Sequence, residues 1–118
     1  MKYKGLCTRL ANSIEQIDGY CEGKRSFKNN NPGNLWDGNN KRVYKKIPVD
    51  SDGYLIFPSY EAGRKALEKD ILLKTLSGHT LETYVKTFTS DEKYLKVIAE
   101  VSGIAKDKKL KEMIDTCL

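Results

Sequence analysis

The chain has 118 residues, 39% of them hydrophobic and 31% charged, with 21 Lys and Arg against 16 Asp and Glu for a net charge of +5. That length allows one modest core and one domain, residues 1–118, and the composition excludes a disordered segment. No apolar run exceeds a few residues, which excludes a membrane span, and the N-terminal MKYKGLCTRL lacks the apolar core of a signal peptide, so the expectation is a chain made in the cytoplasm with no export route of that kind.

Leu6, Leu10, Ile14, Ile17 and Cys21 recur every three or four residues, which predicts an amphipathic helix ending near Gly19 with Asp18 in its last turn. Three cysteines, Cys7, Cys21 and Cys117, show no metal-ligand spacing, and an odd count argues against a closed disulfide framework. They read as reduced, with Cys7 and Cys21 on one helix face. Residues 22–40 carry loop chemistry. KRVYKKIPV, the turn DSDG and YLIFP then read as a hairpin over residues 43–57. Ser59 is placed to cap a helix that runs to about Leu76, with Ala62, Ala66, Leu67, Ile71, Leu72 and Leu76 inward. Thr80 caps a short helix through LETYVKTF. Ser90, Asp91 and Glu92 start another, with Tyr94, Val97, Ile98 and Val101 inward and Gly103 as its stop. Leu110, Met113, Ile114 and Cys117 mark a last helix. The expected class is α+β: one helix, a small antiparallel sheet of a hairpin or three strands, then four helices.

Asp18 falls at the border of the core-facing stripe and at the C-terminal end of its helix. Partial burial and the negative pole of the helix dipole both disfavour the anion, and a carboxyl kept protonated near neutral pH is what a general acid requires. An Asp that simply ends a helix before Gly19 fits the spacing equally. KNNNPGNLWD has two readings as well. It can be a turn-rich loop in which Asn tolerates left-handed backbone. Alternatively, Asn30, Asn31 and Asn34 offer amide donors and acceptors beside Trp36, a combination suited to sugars carrying N-acetyl groups.

IDGYCEGKRSFKNNNPGNLW together with DSDGYLIFPSYEAGRKALEKDI resembles a family of small lysozyme-like domains found mainly in bacteriophage virion and lysis proteins and related to the lytic transglycosylases. In that family a helix ending in Glu-Gly-aromatic leads to Arg-Asn-Asn-Asn-Pro-Gly-Asn, and a strand ending in Phe-Pro-Ser precedes Glu-Ala-Gly on the next helix. GHTLETYVKTFTSDEKYLKVIAEVSGI is similar to the family's third block, so the resemblance covers most of the chain. It implies a lysozyme-like, mostly helical fold and cleavage of the β-1,4 bond between N-acetylmuramic acid and N-acetylglucosamine. It also implies bacterial peptidoglycan as partner, with other virion proteins beside it, and a phage virion or host cell envelope as the place of action. No cofactor is implied. The position matching the family's catalytic Glu is Asp18, whose side chain is shorter by one methylene, about 1.5 Å. A misplacement of about 1 Å can lower a rate about a hundredfold. The alternative is therefore a weak or inactive relative that serves as a virion structural part or glycan-binding module.

Glu22 is a second carboxylate, but it breaks the family spacing. Asp37, Asp50 and Asp52 are candidates for the partner that stabilises positive charge or positions water. DSDG reads as a turn, because it lacks the remaining ligands of a calcium loop. Tyr94 matches a tyrosine of the third block and is either a cleft residue or an amphipathic core residue. Tyr60 and Phe57, at the corner between strand and helix, carry the same two readings. His79 has no nearby nucleophile or second histidine and reads as a loop residue. Lys24, Arg25 and Lys28 either meet acidic peptide stems or form a solvated face. The charge alone also permits a nucleic-acid-binding domain, although no nucleic-acid motif accompanies it and no specific nucleic-acid partner is expected.

Overall fold

The computed structural model describes residues 2–37 and 46–113. Among them the chain forms five α-helices: α1 (Lys4–Asp18), α2 (Arg25–Lys28), α3 (Tyr60–Leu76), α4 (Leu81–Lys86) and α5 (Glu92–Ser102), followed by a 3-10 turn at Leu110–Glu112. Leu6, Cys7, Leu10, Ala11 and Ile14 bury one face of α1, which packs on α3 and α5. The same core takes in Leu67, Ile71, Tyr84, Ile98, Ile104 and Leu110. Each aliphatic side chain of this size stabilises the fold by about 1.5–3 kcal/mol on burial. Gly19, left-handed at φ 70°, ends α1 and donates its N–H to the Glu15 carbonyl. That stop fixes Asp18 as the last helical residue.

Ser59 Oγ accepts the Ala62 N–H at 3.1 Å and opens α3. Thr80 and Thr83 form a reciprocal capping box for α4. Asp91 caps α5, and Gly103 closes it at φ 72°. Arg64 staples α3 to α1: its guanidinium reaches Glu15 at 3.0 Å, Asn12 Oδ1 at 2.6 Å and the Thr8 carbonyl at 3.3 Å, with Glu68 at 2.6 Å on its own helix.

The asparagine block is built into this scaffold by its side chains. Asn31 is fully buried. Its amide donates to the Leu35 and Leu55 carbonyls, both at 3.0 Å, and its oxygen accepts the Leu35 N–H at 2.9 Å. Asn30, left-handed at φ 51°, donates to the Phe57 carbonyl at 3.0 Å. Gly63 lets α3 come against that backbone, because a Cβ there would lie 1.9 Å from the Asn30 carbonyl oxygen. A second, small apolar cluster forms beneath, with Leu55 and Phe57 packed against Leu35, Ile47, Ala62 and Ala66.

Several expectations are corrected. The class is not α+β: helix accounts for 54% of the described residues and strand or bridge for only 6%, and no sheet forms among them. In place of a hairpin or three-stranded sheet, the described residues show only isolated antiparallel bridges, Trp36 with Tyr54 and Val49 with Leu55 in this region and Thr80 with Lys109 elsewhere. Residues 43–45 of the expected hairpin lie outside the described residues. Two local causes limit the ladder. Pro48 has no N–H to donate, and Asn31 takes up the Leu55 carbonyl with a side-chain amide. Cys21 does not share a face with Cys7, because α1 has already ended; Cys7 is buried and Cys21 exposed. Leu76 is 60% exposed, and Val97 and Val101 also face outward. The stripe of α5 is instead Leu95, Ile98 and Ser102. Of the expected last helix only the turn at Leu110–Glu112 is seen; Ile114 and Cys117 lie outside the described residues.

Candidate functional site

The end of α1 opens into a cavity of about 930 Å³. Ile14 and Asp18 reach it from α1, Arg25 from α2, and Asn34, Leu35 and Trp36 from the asparagine loop. Asp52 and Tyr54 come from the turn, Leu67, Asp70 and Lys74 from α3, and Tyr84, Thr87, Phe88, Thr89 and Tyr94 from the last helical segments. The helical body and the loop-and-turn segment thus both contribute walls.

Of the three lining carboxylates, two are ion-paired. Asp52 meets Arg25 at 3.0 Å. Asp70 meets Lys74 at 3.0 Å and accepts the Tyr84 hydroxyl at 3.3 Å. Asp18 has neither hydrogen bond nor ion pair among the described residues, and burial pushes its carboxyl up to about 6 from 3.8. Two further polar groups of the lining are left without partners. The Tyr94 hydroxyl is buried and unbonded. Burial first, and the Asp18 charge second, hold it well above the usual tyrosine range, so it stays a neutral donor. Asn34 sits at φ 47° with its Oδ1 buried and unbonded. A carboxyl whose burial favours its protonated form, a buried O–H donor and a buried amide acceptor, the last two without partners, therefore belong to the lining of one cavity.

The sequence-predicted site residues divide. Asp18, Asn34 and Tyr94 line the cavity together. Asn30 and Asn31 do not: their amides are committed to backbone carbonyls and hold the loop. Tyr60 also lies elsewhere. Its hydroxyl donates to Glu15 at 2.6 Å, and it borders a shallow hollow with Asn12, Gln16 and Tyr20, because α3 starts on the Glu15 side of α1. Phe57 belongs to the small apolar cluster.

Among the second-carboxylate candidates, Asp52 lines the cavity, whereas Asp50 holds the turn. It accepts the Asn29 amide at 3.0 Å and the N–H groups of Asp52 and Tyr54 at 2.9 and 3.0 Å. The Asn29 bond first, and then the backbone N–H groups and Arg25, hold Asp50 below the usual carboxylate range. Asp37 donates its N–H to the Gly53 carbonyl and is not in the lining. Glu22, Lys24 and Lys28 are exposed and outside it. His79 Nδ1 lies 3.0 Å from Thr83 Oγ1 at the start of α4. Among the described residues no three His, Cys, Asp or Glu side chains gather as metal ligands, and no helix is long and apolar enough to cross a membrane.

Asp70, Lys74 and Phe88 escaped the sequence reading. Leu67, Asp70 and Lys74 follow one another at three- and four-residue spacing, so a polar continuation of an apolar stripe was the available signal. Phe88 sits four residues after Tyr84 and meets its ring edge-on at 5.4 Å. Comparison with protein-family models, curated proteins and solved structures returned no match to this chain.

Proposed function

We propose that the chain is a lysozyme-like glycosidase or lytic transglycosylase acting on the β-1,4 bond between N-acetylmuramic acid and N-acetylglucosamine in bacterial peptidoglycan, with Asp18 as general acid. One observation carries the reading: Asp18 is the lining carboxyl without a partner among the described residues, and burial pushes its carboxyl up to about 6. A glycosidic oxygen needs that proton as the bond to the anomeric carbon breaks, and the positive charge then developing on the sugar needs an anion nearby. Asp52 and Asp70, in the same lining, are the carboxylates available for that role. The Tyr94 hydroxyl can donate to a sugar oxygen or to Asp18 once its proton has gone. The sequence resemblance adds phage origin and a virion or host-envelope site of action to the same proposal.

The test is turbidity loss from purified peptidoglycan. Wild type should clear it. Asp18→Asn, which keeps the shape and removes the proton, should abolish clearing. Asp18→Glu, which restores the longer arm, should equal or raise the rate, by up to about a hundredfold. Glycan binding with wild type and both variants inactive would transfer the reading to a binding module. Unchanged clearing by Asp18→Asn would remove Asp18 from the role of acid.

A further inference from the structure

A second recess lies on the other flank of α1, about 130° around the helix from Ile14 and Asp18 at 3.6 residues per turn, and no step of the acid chemistry uses it. Asn12, Glu15 and Gln16 form its helical wall, and Tyr20 and Tyr60 complete it. Tyr20 follows the Gly19 stop of α1 and Tyr60 opens α3, so the two rings come from separate segments of the chain. Their centroids lie 5.2 Å apart, and Phe27, 43% exposed, continues the row at 5.3 Å from Tyr20. The Tyr60 hydroxyl is fixed by its 2.6 Å bond to Glu15 Oε1, which also takes Arg64 at 3.0 Å. Glu15 Oε2 and the Gln16 amide have no hydrogen bond among the described residues.

The charge of this recess selects its occupant. On a chain of net +5 the patch is negative: Glu15 and the exposed Glu61 are the charges felt at the Tyr20 hydroxyl, and after burial both hold it above the usual tyrosine range. Glu61 has no ion pair among the described residues, and Lys24, which passes beside Gly19, pairs with neither glutamate. Arg64 is already committed to Glu15, Glu68, Asn12 and the Thr8 carbonyl. An anion is therefore repelled here, and a purely apolar group would cover Glu15 Oε2 without answering it. An ammonium on an alkyl stem meets each feature. Tyrosine faces attract a cation within about 6 Å of the ring centroid, its N–H groups suit a carboxylate and an amide oxygen, and its methylenes cover the rings. We propose that the Tyr20–Tyr60 recess is a second binding site, for the protonated amino group of a lysine-type side chain carried by a peptide. The site stands apart from the glycan reading and holds whether or not Asp18 cleaves peptidoglycan.

The experiment titrates full-length protein at pH 7 with Nα-acetyl-lysine methylamide, with its uncharged norleucine counterpart and with the N-acetylglucosamine tetramer, following the Tyr20 and Tyr60 ring signals by NMR. The lysine probe should shift both rings saturably, with a midpoint of about 1 mM, and the norleucine probe should bind about fivefold more weakly or less well still. Tyr20→Leu, read at Tyr60, should weaken lysine binding about threefold or more, and Glu61→Gln about twofold. Circular dichroism checks that each variant folds. Glu61 is exposed in the first turn of α3, so Glu61→Gln keeps the test open if Tyr20→Leu does not fold. Equal midpoints for the lysine and norleucine probes, no saturable shift with lysine, lysine affinity unchanged in a folded variant, or rings that answer the sugar tetramer in place of lysine would each overturn the site.

Discussion

Glu15 and Asp18 are three residues apart on the same helix, and their surroundings differ completely. Glu15 is tied into a network: Tyr60 and Arg64 both meet its Oε1, and Arg64 reaches on to Asn12, Thr8 and Glu68. Around Asp18 the carboxyl, the Tyr94 hydroxyl and the Asn34 side-chain Oδ1 have no partner among the described residues. The asparagine block repeats the contrast, with Asn31 bonded three times over and Asn34 open. Unanswered buried polar groups destabilise a fold. Under the proposed function a cluster of them in one cavity is where a ligand would supply the missing partners, and the saturated cluster holds that cavity in place.

The contrast can be broken from its saturated side first. Asn31→Ala should have the largest effect, leaving the Leu35 N–H and the Leu55 carbonyl without the amide that joins them. Stability should drop by about 3 kcal/mol in urea unfolding. Arg64→Met retains apolar bulk but strands the largely buried Glu15 and frees α3 from α1; about 2–3 kcal/mol should be lost, with the Asp18 titration unchanged. On the open side the sign reverses. Because its folded value is raised, Asp18 binds its proton more tightly folded than unfolded. Its contribution is therefore fully present below pH 3.8 and lost as pH rises through about 6. Asp18→Asn should flatten that decline and, at pH 7–8, raise stability by about 1–2 kcal/mol, a figure reduced for the cavity's contact with solvent. The smallest effect belongs to Tyr94→Phe. Removing a buried, unbonded hydroxyl should leave stability unchanged or raise it by up to about 1 kcal/mol, while glycan affinity, read by calorimetry, should fall. A large stability loss in Tyr94→Phe would mean that the hydroxyl has a partner and the contrast is false.

Much of the helical frame was legible because it follows local rules: the stripe of α1, the Ser59 and Thr80 caps and the Gly19 and Gly103 stops depend on neighbours within a turn. The Asn31 and Asn34 difference was not legible. Both asparagines sit in one loop with the same chemistry, and only the approach of the chain at Leu55 decides which amide is used up. The expected sheet failed for a related reason: alternating residues around DSDG predict strands, but Pro48 has no N–H to donate and the Asn30 and Asn31 side-chain amides take up the Phe57 and Leu55 carbonyls, which only a tertiary view reveals. Tyr60 was misplaced because a corner between strand and helix carries no information about which side of α1 the new helix meets. The partial burial of Asp18 and its position at a helix end were legible from periodicity, whereas its choice as acid came from the resemblance.

The proton on Asp18 is the point on which the acid role turns. Carboxyl carbon NMR of the ligand-free protein across pH 3 to 8, with Asp18→Asn identifying the resonance, reads it directly. The predicted midpoint is about 6, with peptidoglycan clearing lost as pH rises through the same value. A midpoint near 3.8 would contradict it: the carboxyl would then be an ordinary helix-end anion, ionised throughout the range in which a general acid has to hold its proton.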